Sequence, residues 1–445
     1  MTVRFRPFDA GFLQDPYPTY AALRADDPVQ RVRIGPVAIA RMLRRFSKMR
    51  REMGEPGIVR TFLAARRERA RGESTDPRLR LPRGLYVVSR HEDVSTVLRD
   101  PERFSSVAMG GPRRPEGSEN VDPTNGSLIG LDPPEHGRHR AIVNRGFTPR
   151  RIAELEPRIR KVTDELLGGF EASGHCDLVA ELANPLPVAV IAELLGLDPA
   201  RRDDFKRWST ALIIGSTRGG GPPRAQLFRE FRGYMSEVVE QRRREPGDDL
   251  ISLLVHAEEE DGVLDTGQVV GFASLLLAAG SETTTNLIGN ALLALHENPD
   301  QAEALRAGPG LIPQLIEEAL RFDPPVQLLM RLATRDTRLA GVAIPKGAMV
   351  VPLLGAANRD PNRFDQPERF DVRRNTQGHL AFGLGNHFCL GASLARLEAR
   401  IALEMLFERL PDWRIDAAQI ERHGSVLIRG PRALPLRFGP NGRVS

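Results

Sequence analysis

The 445-residue sequence predicts a mainly α protein with a minor β region. Apolar residues at helical spacing dominate the readable segments, and the longest such pattern runs from Thr266 to Glu297. Period-two alternation is confined to short stretches, chiefly residues 333–352. No repeat at solenoid or propeller period is present, so the helices belong to one globular unit spanning 1–445.

Taken in order, residues 9–24 read as an entry loop running into a helix. Leu85-Tyr86-Val87-Val88 is a short strand, and a helix from His91 to Leu98 ends at Asp100-Pro101. Residues 102–132 have few periodic apolar positions and many Gly, Pro and Asn, which reads as a long loop of the uncommon, functional kind. Helical spacing returns at 149–168, 186–195 and 227–244, and Gly219-Gly220-Gly221-Pro222-Pro223 reads as a flexible connector. The long pattern has Asp265 or Thr266 as N-cap and Pro299 just beyond its end. At 1.5 Å per residue it extends on the order of 45 Å, enough to cross the molecule. Turns at Ala340-Gly341 and Pro345-Lys346-Gly347 divide 333–352 into short strands, and 390–410 is helical again.

Apolar residues make up 41% and charged residues 27%, which suffices for a large core. Two cysteines, Cys176 and Cys389, exclude a disulfide framework and suit a reducing compartment. Charges and prolines interrupt the N-terminus, and no stretch approaches the roughly 18 apolar residues of a membrane span. The expectation is a cytoplasmic protein without a transmembrane anchor. The net charge of +5 is uneven: residues 36–83 hold 14 Lys/Arg against 5 Asp/Glu. One segment therefore creates the basic balance, and nucleic-acid binding is not expected.

Chemistry concentrates at Ala381-Phe382-Gly383-Leu384-Gly385-Asn386-His387-Phe388-Cys389-Leu390-Gly391. Glycines let the backbone turn tightly around the sulfur and approach a flat ligand. A helix beginning just after Cys389 would aim free N–H groups at a thiolate. A buried structural cysteine would need only a short turn, and a dinucleotide loop would need a third glycine placed elsewhere. The whole string instead fits F-G-x-G-x-H-x-C-L-G-x-x-L-A-R and resembles the cytochrome P450 family.

Further segments extend that resemblance over about nine tenths of the chain. Glu318 and Arg321 form an E-x-x-R pair on one helical face, which the resemblance makes a buried structural ion pair. Ala279-Gly280-Ser281-Glu282-Thr283-Thr284 interrupts the long helix with glycine and hydroxyls and looks like the A-G-x-E/D-T signature over the haem. By resemblance, Gly280 leaves room for dioxygen, Thr283 bonds it and Glu282 relays protons. In Leu131-Asp132-Pro133-Pro134-Glu135-His136, Asp132 reads as a cap and the prolines as a helix start, with His136 and Arg140 one turn apart. The resemblance gives His136, Arg140, Arg331 and His387 to the haem propionates, and Ala279, Phe382, Gly383, Leu390 and Gly391 to the macrocycle. Residues 357–361 and 367–370 match the meander before the cysteine loop.

The resemblance thus implies a P450-like fold with haem b between the long helix and the cysteine loop, Cys389 being the axial iron ligand. It implies a monomeric monooxygenase fed by a separate ferredoxin or flavodoxin with its reductase, docking near Arg145, Arg396 and Arg400. Pocket walls are expected at 107–129, including Leu128 and Ile129, and at 208–227. The others are Leu275, Leu276, Val326, Leu329 and 426–428, including Leu427. Their apolar character suits a terpenoid, steroid, fatty acid or macrolide-like substrate. A peroxide-using or isomerising haem-thiolate protein would alter the Glu282/Thr283 pair, and a catalytically silent one would lose Cys389, Glu318 or Arg321. The sequence departs from the family at 34–83, a basic insertion whose apolar residues Ile39, Met42, Leu43, Phe46 and Met49 recur at helical spacing. A surface hairpin, a membrane-surface contact and a docking element for an acidic partner all remain open for it.

Overall fold

Residues 4–32, 82–109, 128–201, 203–205, 207–208, 224–261 and 264–439 are described by a computed structural model. The expected insertion at 34–83 falls outside these residues except for its last two positions, as do the connector at 219–223 and pocket walls at 110–127 and 209–223. Among the described residues no helix is long and apolar enough to cross a membrane.

The architecture is organised by one continuous helix, Thr266–Glu297. It starts where expected because Asp265 and Gln268 exchange side-chain and backbone bonds of 2.7 and 2.8 Å, a capping box that satisfies two otherwise orphaned N–H groups. Its residues from Leu287 to Leu295 are buried all round, which marks a core helix rather than a surface one. Ser274, Ser281, Thr283 and Thr285 each donate back to the carbonyl one turn earlier, at 2.6–2.8 Å. Thr285 also donates to the Ala183 carbonyl at 2.9 Å. That carbonyl ends a π-helical turn, Val179–Ala183, and four residues on Pro187 has no N–H to offer it.

Helices Glu156–Gly168, Pro185–Leu194, Leu250–Asp261, Ile312–Phe322 and Ala392–Arg409 pack around this axis into the largest apolar core. The helical pattern at 149–168 proves to be two helices, Pro149–Glu154 and Glu156–Gly168, because Pro157 begins the second. Beside the helices lies a five-stranded sheet. It takes in order Val29–Val32, Leu85–Val88, Met349–Pro352, Arg331–Ala333 and Phe104–Ser105. Thr337–Leu339 and Val342–Ile344 form a hairpin whose two turn residues, Ala340 and Gly341, both have positive φ (46° and 82°). Cys176 is buried in a separate small sheet, and burial pushes its thiol up to about 12, as suits an inert small hydrophobe.

Asp132 is not the expected cap. The helix Glu135–Asn144 is preceded by Pro134 and has no side-chain cap. The Asp132 carboxylate instead accepts the Ser106 N–H at 2.8 Å and the Ser105 hydroxyl, tying the end of the sheet to the helix start.

Glu318 and Arg321 are fully buried, joined by two bonds of 2.7 and 2.8 Å. Arg321 spends its remaining donors on the carbonyls of Asn358, Pro367 and Arg369, while Glu318 also accepts from Asp371 N–H and Arg374. Every arm of the pair thus stitches the 358–374 segment to the helix Ile312–Phe322. Glu318→Gln breaks the pair but leaves the arginine buried, a loss of roughly 3–5 kcal/mol that a shifted urea midpoint will report.

Gly280 faces the helix Pro185–Leu194, where a Cβ would lie 2.7 Å from Ile191 Cδ1. The atom met is the far end of the Ile191 side chain, which lines a cavity and has room to give way.

Candidate active site

A cavity of about 260 Å³ lies between the central helix and the glycine-rich loop that leads into Ala392–Arg409. Leu275, Leu276, Ala279, Gly280 and Thr283 face it from the helix. Leu128 and Ile129 close one side, Val326 and Leu329 another. Phe382, Gly383, Cys389, Leu390 and Gly391 form its base, with Arg140 and His387 at one edge. Ala279 shows the helix surface opening here: it sits mid-helix in a core element and is nevertheless exposed.

The loop geometry follows from two glycines. Gly383 and Gly385 hold φ of 70° and 72°, conformations that side-chain-bearing residues rarely adopt. At Gly385 a Cβ would also strike the Leu98 carbonyl at 2.8 Å, so the loop lies directly on the helix His91–Arg99. The Cys389 N–H donates to the Phe382 carbonyl at 2.8 Å and closes the turn. Gly391 is the N-cap of Ala392–Arg409 without a side-chain cap, and its N–H donates to the sulfur. Burial pushes the Cys389 thiol up, while this bond and the charges of Arg140 and Arg396 pull it down.

A cationic rim gathers behind one edge. The His136 and His387 rings lie 4.1 Å apart at 44°, and the Nε2 atoms of both are buried without a partner. Burial, with the charges of His136, Arg331 and Arg140, holds His387 down at about 3. Arg331 is 3% exposed and brought down to about 10 by burial; it donates to the Met330 carbonyl at 2.9 Å. Arg140 donates to Asn144 and to the Phe388 carbonyl. Among the described residues neither arginine forms an ion pair. A buried polar atom left without a partner costs roughly 1–3 kcal/mol, so two such imidazole nitrogens beside two guanidiniums without carboxylate partners suit an anion absent from the chain itself. A flat, apolar macrocycle carrying two carboxylates and a thiolate-binding iron fits the cavity's base, its apolar walls and its rim together.

Several expectations are redrawn. Glu282 is 8% exposed and buried beside the cavity rather than on its wall. Gly280 reaches the wall, with Ile191 Cδ1 beside the position a Cβ would take. Leu427 is not on the wall. Its carbonyl is bound by the Gln327 N–H at 2.9 Å, beside the Val326–Ile428 bridge, and its side chain joins the cluster around Tyr17 and Tyr20. Arg396 and Arg400, expected as docking cations, are bound by Glu317 and by Glu156 and Glu404; Arg145 is exposed. One wall residue is absent from the sequence-based expectations. Glu398 lines the cavity at 2% exposure, burial pushes it up to about 8, and its Oε2 has no partner. Its spacing from Leu394 and Ala395 on the helix after the cysteine loop was the available signal.

The comparisons with known proteins agree with this geometry. A family model described as Cytochrome P450 matches residues 310–416. Cytochrome P450 107B1 of Saccharopolyspora erythraea is 40% identical over 435 residues, covering 97% of both chains. The erythromycin C-12 hydroxylase of the same organism is 43% identical over 370 residues, 81% of this chain and 91% of its own. Among solved structures, cytochrome P450 CYP109Q5 from Chondromyces apiculatus superposes with a TM-score of 0.80 at 38% identity, covering 98% of each chain. Loop, fold and kinship converge, and this chain belongs to the cytochrome P450 family of haem b oxidoreductases.

Proposed function

We propose that Cys389 is the axial ligand of haem b in this cavity, and that the enzyme inserts one atom of dioxygen into a macrolide-like hydrophobic molecule. The observation that carries this reading is the coincidence of one cavity-facing thiol with two imidazoles whose buried Nε2 atoms have no partner and two arginines that, among the described residues, form no ion pair. Arg140, Arg331, His136 and His387 would hold the propionates, the two arginines by charge-assisted bonds. Haem b supplies the dioxygen chemistry when bound. The chain's own work is to seat the substrate, exclude water and deliver protons.

Leu275, Leu276, Leu128, Ile129, Val326 and Leu329 seat an apolar substrate and carry no charge to orient it. Likeness to an erythromycin hydroxylase supports the macrolide-like choice. The Thr283 hydroxyl donates to the Ala279 carbonyl at 2.6 Å, which leaves its oxygen's remaining lone pair for the cavity as a proton acceptor. On this reading Glu282, one residue before it and buried, would hold the proton that Thr283 passes on.

Electrons come, on this reading, from a separate ferredoxin or flavodoxin. Phe388, next to Cys389 and 42% exposed, gives such a carrier an apolar contact one residue from the sulfur. Because Arg396 and Arg400 already have carboxylate partners, docking draws on shape as well as charge.

The test is turnover of a macrolide panel by haem-loaded protein with a surrogate ferredoxin, its reductase and labelled dioxygen. One labelled oxygen per product is expected; reductant consumption without labelled product on any substrate would contradict the reading. Thr283→Ala is expected to keep consuming reductant while product falls about tenfold or more and peroxide rises in its place.

A further inference from the structure

Next to the buried Glu318 stands a second glutamate whose side chain takes the opposite course. Glu317 is bound by Arg396 through two bonds, Nε to Oε1 at 2.5 Å and Nη2 to Oε2 at 2.9 Å. His379 Nε2 donates to Oε2 at 3.0 Å. His379 Nδ1 accepts the Ala381 N–H at 3.2 Å, which leaves the ring proton on Nε2 and fixes the tautomer that can donate to Glu317. Partial burial pushes the Glu317 carboxyl up, but the bonds and charges of Arg396 and His379 outweigh it and hold it at about 2.

The three partners come from three separate places: the helix Ile312–Phe322, the chain entering the cysteine loop, and the helix leaving it. With Glu317 holding it, the Arg396 guanidinium lies 4.4 Å from the centroid of the Phe382 ring. Phe382 in turn lines the cavity, and its carbonyl accepts the Cys389 N–H. Arg396 is also one of the two charges that pull the Cys389 thiol down. A planar, bidentate fork suits this work, since it fixes the direction of the cation as well as its distance.

We propose that Glu317, with His379, is a positioning residue for the haem thiolate. It pins Arg396 against Phe382, braces both ends of the cysteine loop and sets the net charge felt by the sulfur and the iron. The inference rests on Cys389 being the ligand. It is separate from the Glu318–Arg321 pair, which binds the meander and does not touch the loop's cation. Because Glu317 and Arg396 carry opposite charges at one spot, their removal acts in opposite directions. Reduction adds an electron to the iron, so a nearby positive charge favours the reduced form and a negative one disfavours it.

Redox titration of haem-loaded protein tests this, with electron paramagnetic resonance of the ferric form as the check on thiolate ligation. Glu317→Gln is expected to raise the reduction potential, Arg396→Met to lower it, and the double variant to return toward wild type. All three should keep the thiolate signature. A pair that merely stabilised the fold would lower the melting temperature of both single variants and leave the potentials unmoved, or moved the same way. Either result, in variants retaining the thiolate signature, would overturn the proposal while leaving the Cys389 assignment intact. Wild-type protein without that signature would overturn both.

Discussion

A cysteine sulfur buried under an apolar cavity is the constraint on which the rest of this molecule depends. Burial favours the neutral thiol, so the fold has to bring compensating positive charge to one sulfur. It does so with a backbone N–H at Gly391, the uncapped start of Ala392–Arg409, and two guanidiniums from different elements. None of these acts unless the loop closes tightly, which is why Gly383 and Gly385 adopt conformations closed to most residues and why Gly385 touches the neighbouring helix. The long central helix then presents a small, open patch at Ala279 opposite the sulfur while burying most of its other turns.

Around that centre the charges are sorted by whether the chain can satisfy them. Glu318 and Arg321 are matched donor for acceptor, and the pair is accordingly silent and structural. Glu317 and Arg396 are matched too, but at the half-exposed face beside the loop. At the rim, the Nε2 atoms of His136 and His387 are left without a partner, and Arg140 and Arg331 have only neutral acceptors among the described residues. Glu398 belongs with the unmatched set, a buried acid at the cavity with an idle oxygen.

Much of this was legible in the sequence because the decisive signals are local. The capping box at Asp265–Gln268, the hairpin turn at Ala340-Gly341 and the loop around Cys389 each depend on residues a few positions apart. The misreadings share one cause, namely competition from distant partners. Asp132 could cap its own helix, yet Ser105 and Ser106 claim its carboxylate. Arg396 reads as a docking cation, but its acid, Glu317, lies 79 residues away in sequence. Leu427 faces the other core because Gln327 fixes its backbone. Periodicity carries no information about such pairings.

The sulfur of Cys389 is the atom on which the haem reading turns. Its most direct test is the carbon monoxide difference spectrum of dithionite-reduced, haem-loaded protein, recorded beside Cys389→Ala. A strongly red-shifted Soret band that disappears in the variant is the predicted result. A band at the position of neutral thiol or histidine ligation in well-folded wild-type protein, or failure to take up haem at all, would contradict it.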